Sequence, residues 1–177
     1  MKKWTSDHWI SLVAIVASLG TLFTVVYQTN LYREQQYASV LPYLEMWNSG
    51  GGDSYSLVLV NNGIGPAFID EVSIVYKDST YYMDPAHFLG EVIHPTDTIV
   101  NVVHSNIGKG RLVPAGKSIY LLQVNDDEKN AKKLWSWFSG NDANRKDHLE
   151  LIVKYSSVYG ESWMAMKNGS SQPIRLN

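Results

Sequence analysis

Hydrophobic and polar positions alternate with two different rhythms along this chain. From Trp9 to Tyr27 the run WISLVAIVASLGTLFTVVY carries no charged residue. At about 1.5 Å per residue it reaches roughly 28 Å, the hydrocarbon thickness of a bilayer. A transmembrane helix is therefore expected over 9–27, after an N-terminal flank at 1–8. No proline occurs before Pro42 and no glycine between Gly20 and Gly50. The helix is thus expected to continue as a stalk over 28–40, giving about 48 Å from Trp9 to Val40.

From Leu41 onward the texture changes to short apolar runs separated by turn residues, which marks an antiparallel β fold. PYLEMW, SYSLVLVNN, AFIDEVSIVYK, TIVNVVH, KSIYLLQV, HLELIVKYSSVY and ESWMAM are the candidate strands. Val72, Ile74 and Tyr76 alternate, and so do Leu149, Leu151, Val153 and Tyr155 against Glu150 and Lys154. These runs predict a soluble β-rich domain over 41–177, built as a β-sandwich or barrel. One helix interrupts the pattern. DDEKNAKKLWSWFSG opens with Asp126 as a cap, aligns Ala131, Leu134, Trp135 and Phe138 at helical spacing and ends near Gly140, so it is expected to cover an edge or end of the sheets. Gly50-Gly51-Gly52 reads as a hairpin loop, and NNGIGPA as a tight turn in which Gly63 and Gly65 supply positive φ.

Placing the first helix at 100° per residue divides it into two arcs. Leu12, Ile15, Val16, Leu19, Leu22, Phe23, Val26 and Tyr27 share one side. Ser11, Ala14, Ala17, Ser18, Gly20, Thr21, Thr24 and Gln28 share the other, with Ile10, Val13 and Val25 intruding. Ala14/Ser18, Ala17/Thr21 and Gly20/Thr24 are small residues four apart, the spacing that lets membrane helices approach closely. Ala14, Ala17, Ser18 and Gly20 are accordingly the expected helix-packing residues of a homo-oligomer. Thr21, Thr24 and Gln28 are the residues expected to line a pore if copies gather into a ring. The alternative is that the hydroxyls bond back to their own helix and carry no further meaning. Trp4 and Trp9 at one end, with Tyr27 and Tyr32 at the other, sit where amphipathic rings settle at the headgroup level.

Met-Lys-Lys and Ser18-Leu-Gly20 also fit a cleaved secretory signal, but the apolar run continues beyond them, so an uncleaved anchor is expected. Lys2 and Lys3 outnumber Arg33 near the membrane and favour a cytoplasmic N-terminus. Fifteen basic and seventeen acidic residues give a net charge of −2, which supplies no general field for a nucleic-acid backbone, so direct nucleic-acid binding is not expected. With no cysteine, thiol chemistry is excluded. His87, His94, His104 and His148 lack metal-ligand spacing, and no serine lies in a nucleophile-elbow sequence. Arg145 and His148 in NRKDH are too close for the Arg-x4-His motif of certain ribonucleases. Neither NNGIGPA nor VPAGKS has the spacing of a nucleotide loop. No enzyme, cofactor or metal is expected.

One membrane helix with a small and polar face, a stalk, and a β domain carrying LVLVNNGIGPAFI and HLELIVKYSSVYGESW resemble the accessory membrane proteins of type VI-B CRISPR systems. The resemblance implies a bacterial protein of the inner membrane, a ring-shaped homo-oligomer that forms a pore. It implies a functional link to an RNA-guided effector and stronger antiviral defence through membrane depolarisation. It would also place the β domain in the cytoplasm, opposite to the lysine count. Set beside it stands a reading from another class, a membrane-tethered binding or scaffold module without a pore.

Overall fold

The computed structural model describes residues 6–93, 102–139, 149–167 and 172–176. The chain forms two compact units divided between Ser39 and Val40.

The first unit is one helix, α1, Ser6–Ala38. Its 33 residues extend about 50 Å. Among the described residues it is the one helix long and apolar enough to cross a membrane. It ends two residues before the expected Val40. The Ser39 amide donates to the Gln35 carbonyl at 2.9 Å, and the Ser39 hydroxyl donates to Gln36 O at 2.8 Å. Pro42 biases Leu41 toward extended backbone and so forbids another helical turn.

The second unit is a sandwich of two antiparallel sheets. In chain order it contains β1 (Leu44–Gly51), β2 (Ser54–Asn61), β3 (Ala67–Tyr76), β4 (Ser79–Tyr81), α2 (Pro85–Phe88), a π-helical turn at Leu89–Ile93, β5 (Val103–His104) and β6 (Leu112–Val113). There follow β7 (Ser118–Val124), α3 (Glu128–Phe138), β8 (Glu150–Ser156), β9 (Ser162–Met166) and β10 (Ile174–Leu176). One sheet has the order β1-β2-β7-β5; the other runs β10-β9-β8-β3-β4, with β6 also pairing β3. Fold class and the covering helix agree with the sequence pattern. The strands not foreseen, β4, β6 and β10, are two or three residues long, too short to display a period. Of the expected strand TIVNVVH, Val103–His104 is seen as β5 and residues 98–101 lie outside the described residues.

Alternation decides which faces meet. Leu151, Val153 and Tyr155 are buried while their neighbours in β8 are half exposed, so one face of that strand enters the core. Opposite them lie Leu44, Tyr55, Leu57, Leu59, Leu121, Leu122 and Val124. Ala131, Leu134 and Phe138 of α3 join the same cluster. Tyr55 is the junction: its ring stacks on Phe138 at 6.5 Å and meets Trp135 edge-on at 5.9 Å. Burial holds the Tyr55 hydroxyl's pKa well above its ordinary value, and it donates to Asn48 Oδ1 at 3.0 Å.

Two local readings are corrected. Asp127, not Asp126, caps α3, its carboxylate accepting from the Asn130 amide at 3.0 Å; Asp126 has φ 56° and forms the turn ahead of the cap. Gly63 and Gly65 are not positive-φ residues. They are glycine because the chain passes against them: a Cβ would stand 2.3 Å from Leu41 O at Gly63 and 1.8 Å from Val40 O at Gly65. Close approach of backbone, rather than left-handed geometry, explains the sequence there.

Candidate functional site

The expected site is a face of α1. Trp9, Tyr27 and Tyr32 are exposed, and Trp4 lies outside the described residues. No residue of α1 is buried, Ala14, Ala17, Ser18, Gly20, Thr21, Thr24 and Gln28 among them. At Gly20 the space that a Cβ would fill is empty to 4 Å. A glycine in mid-helix costs about 1 kcal/mol relative to alanine, and here it leaves a notch on the small-residue face.

Four hydroxyls on this helix are occupied locally. Ser11 donates to Asp7 O at 2.8 Å, Thr21 to Ala17 O at 2.9 Å, Thr24 to Gly20 O at 2.9 Å and Thr29 to Val25 O at 2.8 Å. Each donor is therefore satisfied without water or a neighbouring helix, which lipid demands of buried polar groups. A hydroxyl oxygen that donates once still accepts, so the same residues can receive a hydrogen bond from a second helix or from water.

In the sandwich, two concavities carry polar chemistry. One, of about 180 Å³, is lined by Ala86, His87, Gly90, Glu91, His104 and Asn106. The sequence places His87 and His104 far apart; the fold brings both to this cavity, whereas His94, His148 and Arg145 lie outside the described residues. Asp84 organises it. This buried carboxylate caps α2 by accepting from the Ala86 and His87 amides at 2.9 and 3.1 Å, and it holds His87 Nδ1 at 2.8 Å. The hydrogen bond from His87, then the charges of Asp84 and Glu91, raise the imidazole pKa. Assigning the proton to Nδ1 leaves Nε2 available for exchange with solvent. The signal in the sequence was Asp84-Pro85, a cap followed by proline at the first helical position. Among the described residues, no three His, Asp or Glu side chains converge to hold a metal ion.

The second concavity, about 260 Å³, lies between the β1–β2 hairpin and α3, lined by Gly50, Gly51, Gly52, Ser54, Ala131, Lys132 and Trp135. No protein-family model matches the chain, and no curated protein matches it significantly.

Proposed function

We propose that this chain is a non-enzymatic, single-pass membrane protein that self-associates through the small-residue face of α1 and forms a ring-shaped pore. The observation that supports this is the uncovered face itself. An uncharged helix of membrane-spanning length presents Ala14, Ala17, Ser18 and Gly20 along one side. In lipid there is no hydrophobic drive for association, and small residues are what permit close backbone packing. Thr21, Thr24 and Gln28 then border the lumen, and the β domains form a vestibule. Opening is a population shift between closed and open rings. The resemblance to type VI-B CRISPR accessory proteins extends this reading to depolarisation of infected bacteria, with the inner membrane as its location.

A second reading, an anchored scaffold, is favoured by one specific observation: Thr21 and Thr24 already bond to Ala17 O and Gly20 O, so neither hydroxyl requires a wet lumen. Two measurements separate them. Light scattering of the detergent-solubilised chain should give a multiple of the protomer mass that collapses in the double variant Gly20→Leu, Thr24→Leu; an unchanged size rejects this face as the interface. Liposomes carrying the native protein should leak ions, and sealed liposomes together with an intact oligomer leave the scaffold.

A further inference from the structure

Among the described residues the sandwich has one long open edge, and its backbone geometry specifies what fits there. β1 pairs β2 through eight consecutive residue pairs, from Leu44↔Asn61 to Gly51↔Ser54, without a bulge. Among the described residues its other side has no strand, because β1 ends its sheet, and the remaining sheet ends are β5, β4 and β10, of two, three and three residues. Short edges are one way proteins avoid unwanted pairing, and lysine, proline and bulges are others. LEMWNSGG has none of these.

The phase of the ladder follows from one bond. The Asn62 amide donates to Tyr43 O at 2.8 Å, which makes Tyr43 and every second residue after it, Glu45, Trp47, Ser49 and Gly51, the members that bond to β2. In an antiparallel pair the intervening residues turn their N–H and C=O away. Leu44 confirms the assignment, since its amide reaches the Tyr155 hydroxyl instead, at 3.2 Å. Met46 and Asn48 thus present a donor and an acceptor each to the open edge, at the spacing of a strand, whereas Gly50, with φ 114°, departs from extended geometry. Beside Gly50 lies the 260 Å³ cavity, with glycine backbone on one side and Trp135 on the other. Gly51 has ordinary φ, and a Cβ there would meet nothing within 4 Å. Among the described residues no turn or close contact requires glycine at 51, and bare backbone in a strand is a place where a ligand approaches closely.

We propose that β1 accepts an additional strand, an extended peptide from a partner protein, whose bulky apolar side chain enters the cavity against Trp135. Main-chain bonds to Met46 and Asn48 supply the hold, and the cavity selects the side chain. This site is independent of any pore.

The test uses the full chain in detergent with three fluorescein-labelled nonapeptides: KTVTFTVTK, the same with alanine at the centre, and KTVPFPVTK. Polarisation should rise saturably with the phenylalanine peptide and about tenfold more weakly with the alanine peptide. The proline peptide, which lacks the amides needed for pairing, should not bind. Trp135→Ala should reduce the phenylalanine peptide to the level of the alanine peptide, and Met46→Pro should abolish both; circular dichroism checks that each variant is folded. Equal binding of the phenylalanine and alanine peptides, binding of the proline peptide, or no binding of any overturns the proposal. With no native cysteine, Ser49→Cys reports the competing occupant. Spontaneous disulfide-linked dimers through that residue, formed without peptide, mean that a second copy holds this edge and likewise overturn it.

Discussion

Asn61→Ala should be among the most damaging single changes in the sandwich. Asn61 is fully buried at the end of β2, and its side chain makes four hydrogen bonds to main chain. Oδ1 accepts from the Tyr43 amide at 3.1 Å and the Gly63 amide at 3.0 Å; Nδ2 donates to Gly65 O at 2.8 Å and Val113 O at 3.0 Å. Its own backbone is also engaged, to Lys117 O and from the Gly116 amide. Alanine removes all four side-chain bonds, leaving the half-buried Tyr43 and Gly63 amides and the buried Gly65 and Val113 carbonyls without these partners. A net hydrogen bond contributes about 1 kcal/mol and an unsatisfied buried donor costs about 1–3 kcal/mol, so the loss should be about 3–5 kcal/mol. For a domain of this size that corresponds to a fall in melting temperature of about 10–20 °C. Thermal unfolding followed by tryptophan emission in detergent measures it. A fall of only two or three degrees would refute the claim that this side chain holds the Tyr43, NNGIGPA and β6 segments together.

Three further outcomes follow from the same geometry. Gly65→Ala places a methyl 1.8 Å from Val40 O and should cost several kcal/mol by displacing backbone, whereas Gly108→Ala, with open space around it, should stay within about 0.5 kcal/mol of the native stability in urea. Tyr155 is pushed up to about 12 by burial, partly offset by its bond from the Leu44 amide; because the folded value exceeds the unfolded value of 10.0, stability is retained below pH 10 and lost as pH rises toward 12. Tyr155→Phe should flatten that alkaline slope. His87 also has a raised pKa, and its stabilisation is full below its ordinary 6.5 and declines as pH rises through the folded value; His87→Gln should remove this slope from melting temperature measured between pH 5.5 and 8.5.

Strand texture and helical spacing were enough to read a mainly β domain behind one apolar helix, because both signals repeat over many residues. What escaped was made of few residues or of distance. The β3–β4 hairpin turns on Lys77 and Asp78, with φ of 47° and 61°, a turn that needs left-handed backbone but lacks the glycine or asparagine that usually announces it. His87 and His104 line one cavity only because α2 and β5 both lie beside β7, a tertiary fact with no local trace. Gly63 and Gly65 were recognised as special for the wrong reason, since the sequence cannot distinguish a glycine that bends from one that makes room. The small-residue face of α1 was legible as spacing, but whether it meets siblings or lipid depends on copies outside one chain.

The clamp around Asn61 gains meaning from where β1 lies. An edge strand pulled from its end peels one pair at a time, and β1 begins at Leu44, close behind the membrane-capable helix in sequence. Tension applied along the chain would reach that strand first. Before it does, it meets Val40 and Leu41 lodged against Gly65 and Gly63, amides of Ile64 and Gly65 bonded to Leu41 O at 3.0 and 3.2 Å, a buried Pro42, Tyr43 held by Asn61, and Leu44 held by Tyr155. These contacts load together, unlike the pairs of a peeling ladder. Val40 to Leu44 are therefore bonded to the NNGIGPA turn, β2 and β8, unlike a flexible glycine- and serine-rich link.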